Sequence, residues 1–380
     1  MKKQSTEHDE EMRVSTIESF FDLVFVFIIT QMTHLIESAR GPLDFLRVFL
    51  VLMLIWWMYD GYAWLTNETG VGRLMRLVLI AAMAGFLVMA LSLPTIFDVD
   101  GLAFGLAYLF VILLHLGAFL IKGGRSAAHA ILGIAPFNLG AAVLVIAAGF
   151  IHDEWKWLFF LVAVVLFAIT TIFHREQGFS INSAHFVERH GLVILIVLGE
   201  TVVDIGTGAA NHAFDARTIV TIILALVLVA ALWWSYFDRD DERARHALES
   251  AKPEIRPRLA LLGYGYTHLV MIAGVVLIAT GVKQVVANDL TQIQKTAWFL
   301  TSGLAVYLLG DVWFRWVMGI RPVIVRAVGT AIALLLGAIG PLWGGAAELD
   351  TVELGAVTAL AIVLLVIEQG LERVQNQPDI

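Results

Sequence analysis

Cysteine is absent from the 380 residues. That excludes disulfides, cysteine-ligated zinc, iron–sulfur clusters and thiol catalysis. Charge is scarce too: Asp, Glu, Lys and Arg make up 15% of the chain, against about 25% in an ordinary soluble domain. A soluble enzyme or a disordered chain would need far more. The formal charge of −8 argues against nucleic acid and other polyanionic partners. Signature motifs are missing as well. There is no P-loop, no GxSxG elbow, no Rossmann fingerprint and no H-x-x-x-H or H-E-x-x-H pair, so neither an ATP-driven pump nor a metal site is expected, and no cofactor is implied. The opening MKKQSTEHDEEMRVSTI has no basic stretch leading into a short apolar core with a small-residue cleavage site. No removable signal peptide is expected.

What fills the chain is apolar sequence. Hydrophobic residues reach 59%, with 11 Trp and 23 Phe, and the mean hydropathy is +0.82. A spanning helix needs about 20 largely apolar residues. Twelve such stretches are expected, near 18–36, 43–65, 74–93, 101–121, 127–150, 155–173, 186–203, 217–237, 259–281, 297–317, 322–343 and 352–369. The last is the weakest, because Glu353 and Glu368 bracket it. Period-2 alternation is rare, which argues against a β-barrel. With twelve spans, Arg40, Arg47, Lys156, Arg217, Lys283 and Lys295 fall on one side and the other nineteen basic residues on the opposite side. The positive-inside rule then places both termini of a multi-pass membrane protein in the cytoplasm.

The sequence also carries signs of duplication. Asp22–Gln31 in the first span aligns without gaps on Gly191–Glu200 in the seventh. Trp56-Trp57-Met58-Tyr59 in the second span has its counterpart in Trp233-Trp234-Ser235-Tyr236 in the eighth. The expected architecture is all-α and polytopic, in two parallel six-helix repeats related by an axis along the membrane normal. A cytoplasmic tail at 1–17 precedes the first repeat, 18–175. The linker HREQGFSINSAH (174–185) joins it to the second repeat, 186–370, and a tail at 371–380 follows; the longest polar loop is expected elsewhere, at 238–258, too short and too charged to be a folded domain.

ESFFDLVFVFIITQMTHLI (18–36) and ERHGLVILIVLGETVV (188–203) resemble motifs of the bacterial low temperature requirement A family. Glu18, Phe20, Phe21, Asp22, Gln31, His34, Gly191, Gly199 and Glu200 stand at the matching positions. The resemblance implies a polytopic inner-membrane protein linked by name to growth in the cold. It carries over no catalytic residues.

Polar residues inside apolar spans cost free energy on insertion, so they should face protein or water. Glu200 and Gln31 are both deep in their spans and are equivalent in the repeat. Glu200 is read either as a proton- or cation-binding carboxyl or as a group solvated near the interface with Asp204. Gln31 and His34 share one face of the first span; Asp22 lies on the opposite face. Asp60 and Asp238 are expected at the cytoplasmic ends of the second and eighth spans, just past the two aromatic quartets, which read as interface anchors. Asp22, Asp60 and His190 could together line an inner vestibule. Glu18 and Asp22, acids at a helix start, could equally be hydrated groups meeting the helix dipole. Asp311 and Arg315, spaced i,i+4, are expected to form an intramembrane ion pair. His34, His115, His129 and His268 are single histidines whose ordinary role is a hydrogen bond to a neighbour. Gly101 and Gly105 fit small-xxx-small helix packing. Pro94, Pro136 and Pro341 are candidates to end or kink helices, and Pro136 with Asn138 could expose carbonyls to a cavity.

The expectation is a non-enzymatic, secondary-transporter-like protein that moves a small solute or ion, with proton coupling an option. Its partners are the lipid bilayer and that solute. Glu200, Gln31, His34, Asp22, Asp60, His190 and His268 are the pathway candidates. The alternatives are a non-transporting sensor or regulator needed for growth at low temperature, and an intramembrane lipid-modifying enzyme.

Overall fold

The computed structural model describes residues 13–173, 178–210, 215–287, 293–339 and 347–375. Residues 1–12 of the N-terminal tail, 174–177 of the expected linker, Pro341 and residues 376–380 lie outside the described residues. Among the described residues the regular structure is helical throughout: α1 (Thr16–Ser38), α2 (Pro42–Thr69), α3 (Arg73–Ser92), α4 (Gly101–Lys122), α5 (Gly124–Gly149), α6 (Trp157–Phe173), α7 (Ser183–Ala209), α8 (Ala216–Phe237), α9 (Asp240–Ser250), α10 (Arg256–Ala260), α11 (Thr267–Val286), α12 (Ile293–Met318), α13 (Ile324–Ile339) and α14 (Ala347–Gln375). Each expected span falls on a helix, the eleventh on the shorter α13, and in the ninth a π-helical turn at Leu261–Tyr266 joins α10 to α11. Among the described residues ten segments, against the twelve expected, are long and apolar enough to cross a membrane, including the stretch Asp350–Arg373 where the sequence signal is weakest. α13 is a shorter apolar helix of 16 residues.

Local chemistry sets several helix ends. Glu18 closes the start of α1 with the side-chain half of a capping box: its Oε2 accepts from the Ser15 backbone N–H at 2.8 Å and from the Ser15 hydroxyl at 2.7 Å. Asn182 caps α7 by accepting from the His185 N–H at 3.1 Å, and Asp215 caps α8 by accepting from the Thr218 N–H at 2.7 Å. That bond and the Thr218 hydroxyl hold the Asp215 carboxyl below the ordinary aspartate value. Gly70 ends α2 with φ 63°, and its N–H returns to Thr66 O at 2.9 Å. Pro136 lies within α5 rather than ending it. The polar segment 238–258 is not a loop: it folds into α9, whose first turn is Asp240-Asp241-Glu242, and the start of α10.

The chain divides into two compact units. The first comprises the described residues of Met1–Gln31, Ala39–Val193 and Arg245–Leu261. In it, α3 packs on α4, α4 on α5 and α5 on α6, while α2 packs on both α4 and α6. Gly101 and Gly105 sit at the α4–α5 crossing, as small-xxx-small spacing requires. A Cβ on Gly105 would lie 2.9 Å from Ile146 Cα. The second unit comprises the described residues of Met32–Ser38, Ile194–Ala244 and Leu262–Ile380. There α11 packs on α12, α12 on α13 and α13 on α14, while α8 packs on α11 and α14. The α11–α12 crossing relies on the same close approach: a Cβ on Gly303 would lie 2.8 Å from Ile278 N.

Candidate functional site

In the first unit, α1 and α7 meet through two charged rungs. Glu18 and Asp22 are one turn apart on α1; His185 and Arg189 are one turn apart on α7. Glu18 Oε1 meets His185 Nε2 at 3.0 Å, and Asp22 Oδ1 meets Arg189 Nη2 at 2.8 Å. All four side chains are buried. The Asn67 amide lies 3.2 Å from His185 Nδ1, and Asn67 also exchanges hydrogen bonds with the Asn182 backbone. With Asn67 donating to Nδ1, His185 presents Nε2–H to Glu18 as a neutral ring. Tyr59 on α2 donates its hydroxyl to Asp22. The Arg189 guanidinium lies 5.7 Å from the Phe21 ring centroid, a cation–π arrangement.

The next residue along α7 extends this network to a cavity. His190 Nδ1 lies 2.8 Å from the Phe186 carbonyl, and His190 Nε2 lies 2.8 Å from Asp60 Oδ1. A carbonyl only accepts, so Nδ1 carries the hydrogen. At 2.8 Å the Nε2–Oδ1 contact also requires one, on either the ring or the carboxyl. The pair therefore holds one proton more than a neutral imidazole and a carboxylate. Asp60 Oδ2 accepts from Trp64 Nε1 at 3.2 Å. Asp60 also lines a cavity of about 80 Å³, together with Trp57, Trp64, His115, Phe119, Asn138 and Phe179 among others. That is room for several waters or one small solute.

Two expectations about α2 are corrected. Asp60 does not sit at the helix end, because α2 continues to Thr69. The aromatic quartet on α2 is not an interface anchor either. Trp56 and Tyr59 are buried, Trp57 Nε1 donates to Asn138 Oδ1 at 3.1 Å, and Tyr59 bonds Asp22, so the polar tips are satisfied within protein. On α8, by contrast, Trp233 and Trp234 are exposed, at 41% and 46%.

The second unit holds a separate cluster. Arg326 directs Nε and Nη2 onto Glu368, at 3.0 and 2.7 Å, and Nη1 onto Asp311 at 2.8 Å. Arg315 bonds Asp240 Oδ2 at 2.6 Å and also Glu368. Asp311 and Arg315 do approach, at 3.8 Å, but each has tighter partners elsewhere. The expected two-residue pair is thus part of a five-residue lattice. It includes Asp240, which is buried, and not Asp238, which is exposed.

The remaining candidates are dispersed. Glu200 is buried in the second unit, one turn before the buried Asp204; Gln31 belongs to the first unit and is half-buried. His34 is exposed and paired with Glu37 at 3.1 Å, and Glu37 also meets Lys283 at 2.9 Å. Neither Gln31 nor His34 lines the cavity. His268 follows the π turn: its Nδ1 lies 3.2 Å from Gly263 O, and its Nε2 accepts from Tyr236 Oη at 2.8 Å. His115 Nε2 donates to Gly61 O at 2.9 Å, and His129 is exposed. Among the described residues no three His, Asp or Glu side chains converge as a metal site requires. Sequence reading missed Arg189, His185, Arg326, Glu368 and Asp240. The available signal was the matched spacing of Glu18/Asp22 and His185/Arg189, two i,i+4 pairs with opposite chemistry.

Comparison with known families decides the kinship. The family model described as bacterial low temperature requirement A protein matches residues 13–367. The chain belongs to that family. An uncharacterized protein of Rhizobium meliloti (strain 1021) is 24% identical over 327 residues, covering 81% of this chain and 78% of the relative. The matched stretch contains every residue of the first charged cluster and, in the second, Asp240, Asp311, Arg315 and Arg326; Glu368 lies one residue beyond it.

Proposed function

We propose that this low temperature requirement A protein is a secondary transporter of the cell inner membrane, moving a small solute or ion with proton coupling. One observation carries the reading: Asp60, which shares a proton with His190, forms part of the wall of a cavity. Around that pair, three carboxyls (Glu18, Asp22, Asp60) face one guanidinium (Arg189) and two imidazoles (His185, His190). Such a set balances in charge only when it holds two protons beyond neutral imidazoles and carboxylates, and the Asp60–His190 pair holds one of them. Protonation and occupancy of the cavity by a charged solute are then linked through Asp60.

The proposed frame is twelve spans in two parallel repeats, with cytoplasmic termini and no enzymatic step. Its supports are the gapless alignment of Asp22–Gln31 on Gly191–Glu200, the recurring WWxY quartet, and the common packing order in each unit. In that order α3 on α4, α4 on α5 and α5 on α6 correspond to α11 on α12, α12 on α13 and α13 on α14. The basic-residue distribution supports the orientation.

The test is a solute screen in proteoliposomes with and without a pH gradient. Gradient-dependent uptake is expected, falling at least about tenfold in Asp60→Asn and in His190→Gln. Uptake indifferent to the gradient refutes coupling. A properly folded protein that moves none of the solutes returns the question to the sensor reading.

A further inference from the structure

We infer that the cavity beside Asp60 is a binding site for a small organic cation, a primary or methylated ammonium held by one carboxyl and an aromatic wall. This rests on reading that cavity as the transport chamber.

The sign of the ligand follows from what the wall offers. Among the described residues lining it there is no Lys or Arg, and Asp60 is the acid. The indole donors are turned onto the wall's own acceptors: Trp57 Nε1 onto Asn138 Oδ1 and Trp64 Nε1 onto Asp60 Oδ2. His115 spends its Nε2–H on the Gly61 carbonyl, and Thr170 its hydroxyl proton on Leu166 O. Apart from the Asn138 amide N–H groups, these side-chain donors are spent within the protein, and the wall turns acceptor oxygens, one carboxyl and π faces to the cavity, a surface that favours donors carrying positive charge over anions.

The organic character follows from the aromatic content. Trp64 and Phe179 meet edge to face at 5.7 Å, Phe119 and Phe179 at 5.5 Å, and Trp57 stacks on Phe167 at 4.6 Å. These contacts hold the rings in fixed orientations around the cavity, the arrangement that binds quaternary and alkylated ammonium through the ring quadrupole. A hard metal cation would want six or more oxygens. This wall offers one carboxyl among rings and the aliphatic Ile131 and Ile134. The volume of about 80 Å³ limits the ligand to a few heavy atoms. The Asp60 carboxyl both contacts His190 and faces the cavity, so the ligand and the shared proton compete for the same oxygens.

The test is equilibrium binding of radiolabelled tetramethylammonium and methylammonium to the full chain in lipid nanodiscs, with sodium chloride and sodium acetate as competitors. Saturable binding is expected, displaced by the other ammonium and not by sodium or acetate. Asp60→Asn should weaken it about tenfold or more, and Phe119→Leu, which touches no ion pair, about three- to tenfold. Trp233→Leu, an exposed tryptophan outside the cavity, should leave it unchanged. Absence of saturable binding in the wild type overturns the inference, as does equal affinity in Phe119→Leu and wild type. If Asp60→Asn fails to fold, Phe119→Leu decides. Flux of the same cations is measured in parallel in vesicles. Binding without flux overturns the transport reading and keeps the site. Flux of an anion or neutral solute, with no cation binding, does the reverse.

Discussion

Removing Arg326 should destabilise the protein more than any other single charge deletion in its unit. Its guanidinium donates to both Glu368 oxygens, to Asp311 Oδ2 at 2.8 Å and to Ser235 O at 3.2 Å. Arg326, Asp311 and Glu368 are at most 4% exposed, so water cannot replace what is lost. In Arg326→Met, Asp311 keeps only Arg315, at 3.8 Å, while Glu368 keeps its bond to Arg315. Breaking a buried pair from one side costs about 3–5 kcal/mol, because the partner's charge stays buried and unpaired. Arg326→Lys keeps the charge but not the fork, and should fall between Met and wild type.

Unfolding in mixed micelles by rising SDS fraction, followed by far-UV circular dichroism, reads the difference. Arg239→Ala is the control, since Arg239 is 55% exposed and pairs with Glu372 at 3.0 Å; it should cost about 0–1 kcal/mol. The double variant Arg326→Met/Glu368→Met removes one charge of each sign. It should cost less than the two single losses added together, by about 1–3 kcal/mol. An Arg326→Met loss no larger than that of Arg239→Ala would refute the reasoning. So would strict additivity in the double variant.

Three further outcomes are expected. Gly105→Leu forces a side chain against the Ile146 backbone, 2.9 Å from the Cβ position, and should cost about 1–3 kcal/mol in the same unfolding assay. A cysteine at Ser250, in a chain with no native cysteine, should resist membrane-impermeant maleimide in intact cells; labelling there reverses the orientation. Hydrogen exchange at the Thr218 amide should be slow at neutral pH and accelerate on acidification. The Asp215 carboxyl that accepts its bond has a lowered value in the folded state. Its contribution is therefore present above the ordinary aspartate value and lost as pH falls through the lowered one. Exchange independent of pH, after correction for intrinsic chemistry, contradicts the cap.

The helices were legible because a membrane segment is written in composition: about twenty apolar residues declare a span wherever they occur. Their ends were less so. α2 runs four residues past the expected 65, through Thr66-Asn67-Glu68-Thr69, a polar turn that hydropathy discards and packing keeps. The π turn at Leu261–Tyr266 leaves no periodic mark, because it inserts one residue into an otherwise continuous apolar run. The insertion-cost argument drew attention to Asp22, Asp60 and His190, but it undercounts near span ends, where a charge looks affordable. Arg326 and Glu368 escaped for that reason, and so did Asp240, hidden in a segment that read as a solvated loop. Their burial comes from tertiary contacts among α9, α12, α13 and α14, which no local window contains.

The two clusters differ in the chemistry of their cations, and that difference separates their roles. Around Asp311 and Glu368 both positive groups are guanidiniums, which stay protonated at any accessible pH and match carboxylates through a rigid fork. The cations of such a lattice keep one charge state and are fixed by geometry, which suits an anchor. Around Asp22 and Asp60 one guanidinium is joined by two imidazoles, and imidazole is the side chain whose charge changes near neutrality. Each imidazole is oriented through its second nitrogen, His190 by the Phe186 carbonyl and His185 by the Asn67 amide, and on His190 the hydrogen shared with Asp60 can sit on either partner without the ring turning. Fixing the rings while leaving the charge variable is what a proton-coupled site requires.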